Sequence, residues 1–145
     1  MTTTASTLNS RVIALAHHAA RALAEGVLDR HGITFHQSVT LRAVTVAGGS
    51  VPRGELVAEI QNSLKTTETL VQAVIEELLT AGLLAREDSL LRLTGTGRDL
   101  YETTAAATAE VSARLYAGIA AEDLAVAGRV LTLITDRANT ELGTD

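Results

Sequence analysis

The stretch from Pro52 to Arg98 constrains the chain most, because its periodicity changes twice within fifty residues. Leu56, Val57, Ile60 and Leu64 recur at helical spacing after Pro52, the only proline, which a helix start tolerates. A polar turn, Lys65-Thr66-Thr67, follows, and Val71, Val74, Ile75 and Leu78 then mark a second helical face over Thr67–Ala81. Its cap is either Thr67 or Thr69, since Thr69 and Gln72 also fit a capping box. Gly82 stops it. Two short apolar runs, Leu83–Arg86 and Leu90–Leu93, flank Glu87-Asp88-Ser89, the pattern of a β-hairpin with a three-residue loop. Thr94 then reads as the N-cap of a long helix. Two helices joined by a tight turn, then a hairpin, then a helix, leave few alternatives for how this segment packs.

Longer helical patterns lie on both sides. Leu8, Val12, Leu15, Ala16, Ala19, Leu23 and Val27 form one stripe, capped by Asn9 or Thr7 and ended at His31-Gly32. Phe35–Ala47 reads as a shorter helix with Val39, Leu41, Val44 and Val46 turned inward in some combination, although its β-branched content keeps a strand open. Gly48-Gly49-Ser50 breaks it. After Thr94 the stripe is Leu100, Thr104, Ala107, Val111, Leu115 and Ile119, and a last helix spans about Glu122 to Leu142 with Leu124, Ala127, Leu131, Ile134 and Ala138 on one face. The terminal stripes exceed what the middle can cover, so they predict pairing with a second copy.

Composition narrows the function classes. The 145 residues suit one domain. There is no cysteine, which excludes disulfides, thiolate metal sites and cysteine nucleophiles and makes the cytoplasm the expected compartment. No apolar run is long enough to span a membrane, and Met1–Thr7 lacks the pattern of a signal peptide. Paired acids such as Glu76-Glu77 lie on a helix rather than facing one another, Gly95-Thr96-Gly97 lacks the lysine of a phosphate loop, and no catalytic triad spacing exists, so no enzyme or cofactor is implied.

A helix fits the major groove and a two-stranded hairpin reaches beside it, which is how a winged helix-turn-helix holds DNA. The run Glu76-Glu77-Leu78-Leu79-Thr80-Ala81-Gly82-Leu83-Leu84-Ala85-Arg86 resembles the end of a MarR recognition helix and its first wing strand. Arg92-Leu93-Thr94-Gly95-Thr96-Gly97-Arg98 resembles that family's second wing strand and the L-T-x-x-G-R start of the next helix, and Gly32–Gln37 resembles its approach to helix two. The resemblance implies a mainly α fold: a winged helix-turn-helix lobe at residues 35–99, a short hairpin wing, and dimerisation helices at 1–34 and 100–145 within one domain. It also implies a homodimeric, DNA-binding transcriptional regulator, a repressor that binds a pseudo-palindromic operator and is released by a small-molecule effector.

The candidate DNA contacts are Arg53 and Lys65 for phosphate; Thr66, Thr67, Thr69 and Gln72 at the start of the second helix; and Arg86 and Arg92 beside the hairpin. Glutamine can pair with adenine, and threonine can meet a thymine methyl or a phosphate. Ordinary capping and solvation are the competing reading of each. His17, His18, Phe35 and His36 are the candidates for an effector pocket. The four histidines lack ligand spacing, so a metal-responsive regulator is the least supported alternative.

The charge balance opposes the resemblance. Residues 50–99 hold five basic and eight acidic side chains, a net charge of −3, and the hairpin tip is acidic. Phosphate neutralisation supplies most non-specific affinity. Weaker DNA binding with few phosphate contacts is therefore expected, and the rival reading is a winged-helix protein-interaction module that has lost DNA binding.

Overall fold

The architecture is that of a computed structural model, which describes residues 7–143. Six helices and three short strands follow in the order α1 (Ser10–Arg30), α2 (Phe35–Val46), β1 (Ser50–Pro52), α3 (Arg53–Leu64), α4 (Glu68–Thr80), β2 (Leu84–Glu87), β3 (Leu90–Leu93), α5 (Gly95–Tyr116) and α6 (Ala121–Glu141). The chain divides into two compact units at Val111/Ser112, within α5.

Helix starts are set by side chains that satisfy otherwise orphaned amides. Asn9 caps α1 by accepting from Val12 N at 2.9 Å. Thr34 and Gln37 form a reciprocal capping box at α2, which is a helix rather than a strand. Thr67, not Thr69, caps α4 by accepting from Leu70 N at 3.2 Å. Thr94 accepts from Gly97 N at 3.0 Å and donates to Gly82 O at 2.7 Å, so one hydroxyl both starts α5 and fastens it to the end of α4.

The apolar stripes of α2, α3 and α4 converge on one core. Leu41, Val44, Leu56, Ile60, Val71, Ile75 and Leu78 are buried there, closed on one side by Val51, Leu84, Leu91 and Leu93 from the strands. Within α2 the expectation for Val46 fails: it is 76% exposed because it is the last residue of the helix, past the core.

The strands form an antiparallel sheet in the order β1-β3-β2. The first strand was not expected from the sequence. Ser50, Val51 and Pro52 pair with Arg92, Leu91 and Leu90, and the edge position suits a proline that has no amide to donate. The hairpin loop is also shorter than expected. Glu87 pairs with Leu90, which leaves Asp88-Ser89 as the link, with Asp88 at φ 55°. Two-residue hairpin links need such left-handed residues.

The second unit holds the end of α5 and α6. The α5 stripe stops short of Ile119, because the helix ends at Tyr116 and Gly118 follows at φ 77°. No residue of α6 is buried, and Leu124, Val130, Leu131 and Ile134 are exposed. In the first unit, α1 buries only Val27 and Leu28, leaving Leu15 and Leu23 about half exposed.

Candidate nucleic-acid interface

Helix α4 buries Val71, Val74, Ile75 and Leu78, which turns Thr69, Gln72, Ala73, Glu76 and Glu77 away from the core. This outer face is flanked by the start of α3 and by β2. The flanking elements bring two of the candidate arginines onto it.

Arg53, the first residue of α3, donates from Nε to Gln72 Oε1 at 2.8 Å and from Nη2 to Glu76 Oε1 at 2.9 Å. Arg86, on β2, donates from Nη2 to both Glu76 oxygens, at 2.9 and 3.1 Å. One carboxylate in the middle of α4 therefore joins three elements. The hydrogen bond from Arg53, followed by that from Arg86, holds the Glu76 carboxyl below its usual range. Glu76 was not among the sequence candidates. Its only signal in the sequence is an acid on the outer face of α4.

The remaining candidates are distributed around this centre. Lys65 ends α3 in a left-handed conformation at φ 53° and donates to Asn62 Oδ1 at 2.9 Å. Thr66 is half-buried in the turn, Thr67 is the cap, and Thr69 is exposed in the first turn of α4. Arg92, on the central strand, pairs through Nε with Glu87 Oε2 at 2.8 Å. Each of the three candidate arginines thus meets a carboxylate. Helix α4 itself carries Glu68, Glu76 and Glu77 and no basic residue.

The candidates for an effector pocket are not gathered into one cavity. Phe35 lines an open groove of about 780 Å³ with Val39, Arg42, Val46, Leu56, Ile60 and Leu64. His36 meets the Phe35 ring edge-on at 5.8 Å, and the Arg21 guanidinium sits 4.0 Å over that ring. His17 and His18 are exposed neighbours on α1, with ring centroids 5.3 Å apart, and neither lines the groove. Among the described residues no group of three or more histidines, cysteines or carboxylates is placed to hold a metal ion, and no helix is long and apolar enough to cross a membrane.

No family profile matches the sequence, and no curated protein sequence matches it. Solved structures do match. The reduced form of MarR from E. coli superposes with a TM-score of 0.70 at 18% identity, over 90% of this chain and 95% of that one. The Mycobacterium tuberculosis MarR family protein Rv2887, in complex with DNA, superposes with a TM-score of 0.70 at 22% identity, over 89% and 98% of the two chains. The same protein in complex with salicylic acid gives 0.67 at 22% identity, over 89% and 99%. Sco5413, a MarR family transcriptional regulator from Streptomyces coelicolor, gives 0.70 at 20% identity, over 89% and 91%. The fold is therefore the winged helix of MarR-type regulators, with α3, α4 and the β2–β3 hairpin as its helix-turn-helix and wing.

Proposed function

We propose that this chain is a homodimeric, DNA-binding transcriptional regulator of the MarR type. The observation that carries the reading is the outer face of α4, which the fold leaves uncovered between Arg53 on α3 and Arg86 on the wing. A helix presented this way enters a major groove while the hairpin lies along the backbone. Gln72 and Thr69 then meet base edges, and Arg53, Lys65, Thr66, Thr67, Arg86 and Arg92 meet phosphates. Rv2887, which has a similar fold, is solved in complex with DNA, and this supports a DNA-binding reading.

Two copies are needed to read a pseudo-palindrome, and the uncovered apolar faces of α1 and α6 supply the surface for pairing. The regulator acts as a repressor that a small molecule releases. The salicylic acid complex of Rv2887 supports an effector of this kind. The groove lined by Phe35, between α2 and α3, is where we place it. An effector changes occupancy only by preferring one arrangement of the two lobes.

Three glutamates on α4 favour a second reading, a winged-helix module that docks a protein partner. Fluorescence anisotropy of the purified chain on a random-sequence duplex at low salt separates the two. Saturable binding with two chains per duplex supports the regulator. Absence of binding at roughly 50 mM salt, where phosphate contacts are strongest, supports the docking module.

A further inference from the structure

The sequence shows too few basic residues for a DNA-binding lobe, and the structure shows that several of those present are already engaged. Arg53 and Arg86 come from different elements, yet both direct Nη2 at Glu76. Neither guanidinium is saturated. Arg86 spends a single nitrogen on the carboxylate, and the Nη1 of Arg53 is not used in either of its contacts. The pairs are also open to water, with side-chain exposures of 30% for Arg53, 61% for Arg86 and 51% for Glu76. Exposed pairs of this kind are weak and yield to competing anions.

A carboxylate and a phosphodiester present similar oxygen pairs to a guanidinium. We infer that Arg53 and Arg86 form an oxyanion site for a DNA phosphate, and that Glu76 fills it as an internal stand-in until DNA displaces it. The inference rests on the DNA-binding reading above and adds how that affinity is held down. Binding at this site is an exchange of one anion for another. Each phosphate gained there costs two internal contacts and leaves Glu76 facing the duplex. Glu76 is therefore a positioning residue whose removal raises backbone affinity.

Glu77 provides the control. It is the next residue on α4 and carries the same charge, but it accepts from Gln37 Nε2 at 3.3 Å and pairs with neither arginine. Glu76→Gln and Glu77→Gln each remove one negative charge from α4, and glutamine keeps the helix propensity. Two measurements are compared: the salt needed to elute each variant from heparin, and affinity for a random duplex across a salt series.

Glu76→Gln should bind the duplex about tenfold tighter than wild type at low salt, with a log–log slope steeper by about 1 per chain. Glu77→Gln should gain less than about threefold. Glu76→Gln should also elute from heparin at higher salt than Glu77→Gln, despite equal net charge. In an Arg53→Gln/Arg86→Gln background the difference between the two variants should vanish. Equal gains from both variants would overturn the proposal, because bulk charge would then explain them. A loss of affinity in Glu76→Gln would overturn it too. If no variant binds duplex but the heparin order holds, the DNA reading fails and the anion site stands. If duplex binding is sound but the variants behave alike, the reverse is true.

Discussion

Gly97 lies against the backbone of Leu83 so closely that a Cβ on it would stand 2.1 Å from the Leu83 carbonyl oxygen and 3.0 Å from Leu93 Cδ1. That contact seats the first turn of α5 on the junction between α4 and the wing. It gives the Leu93-Thr94-Gly95-Thr96-Gly97-Arg98 motif a physical reason: Thr94 caps and fastens the helix, and Gly97 lets it approach.

The two glycines of the motif should therefore respond oppositely. Gly97→Ala forces backbone apart and should destabilise the fold by about 3 kcal/mol or more, measured by urea unfolding. Gly95→Ala meets nothing within 4 Å and should change stability by less than about 1 kcal/mol. Similar effects from both would show that the close approach to Leu83 is not what the motif requires.

Acid should selectively loosen the cluster on α4. The two arginines hold the folded-state pKa of Glu76 below the unfolded value of 4.5. A lowered folded pKa contributes stability above the unfolded value, and that contribution is lost as pH falls through the folded one. The melting-temperature gap between wild type and Glu76→Gln should thus be constant from neutral pH to about pH 5 and close as pH drops below about 4. A gap independent of pH would mean the ion pairs do not persist in solution.

The exposed stripe of α6 should control assembly. Leu131 and Ile134 stand three residues apart on one helical face, 39% and 42% exposed. Leu131→Glu with Ile134→Glu places charge on that face and should weaken the proposed dimer by at least about a hundredfold, read by sedimentation. Helical content should change little, since neither side chain is buried within its own chain. An unchanged dimer would place the interface elsewhere.

How much of this was legible depends on how local each cause is. The helical stripes of α3 and α4, the Thr94 cap and the two wing runs are written in residues within a turn or two of each other. Strand β1 is not. Ser50-Val51-Pro52 has no periodicity of its own and becomes a strand only because β3 offers it an edge. The sequence makes the wing loop one residue too long because Glu87 is polar, yet its backbone pairs with Leu90. At the site, Arg53, Gln72 and Arg86 were each nameable as candidates. The convergence of the two arginines on Glu76 spans 23 residues on one side and 10 on the other, and only tertiary packing brings them together. The sequence groups Phe35 with the histidines, whereas the groove it lines takes its other wall from α3.

Helix α4 is proposed to read DNA in a paired chain, and selection of bound sequences from a random duplex pool at low salt tests this. Enrichment of a pseudo-palindrome whose half-sites lie about one helical turn apart is expected, with Gln72→Ala relaxing preference at one position in each half-site. Recovery of no enriched motif would contradict the claim and leave the acidic lobe as a surface for a protein partner.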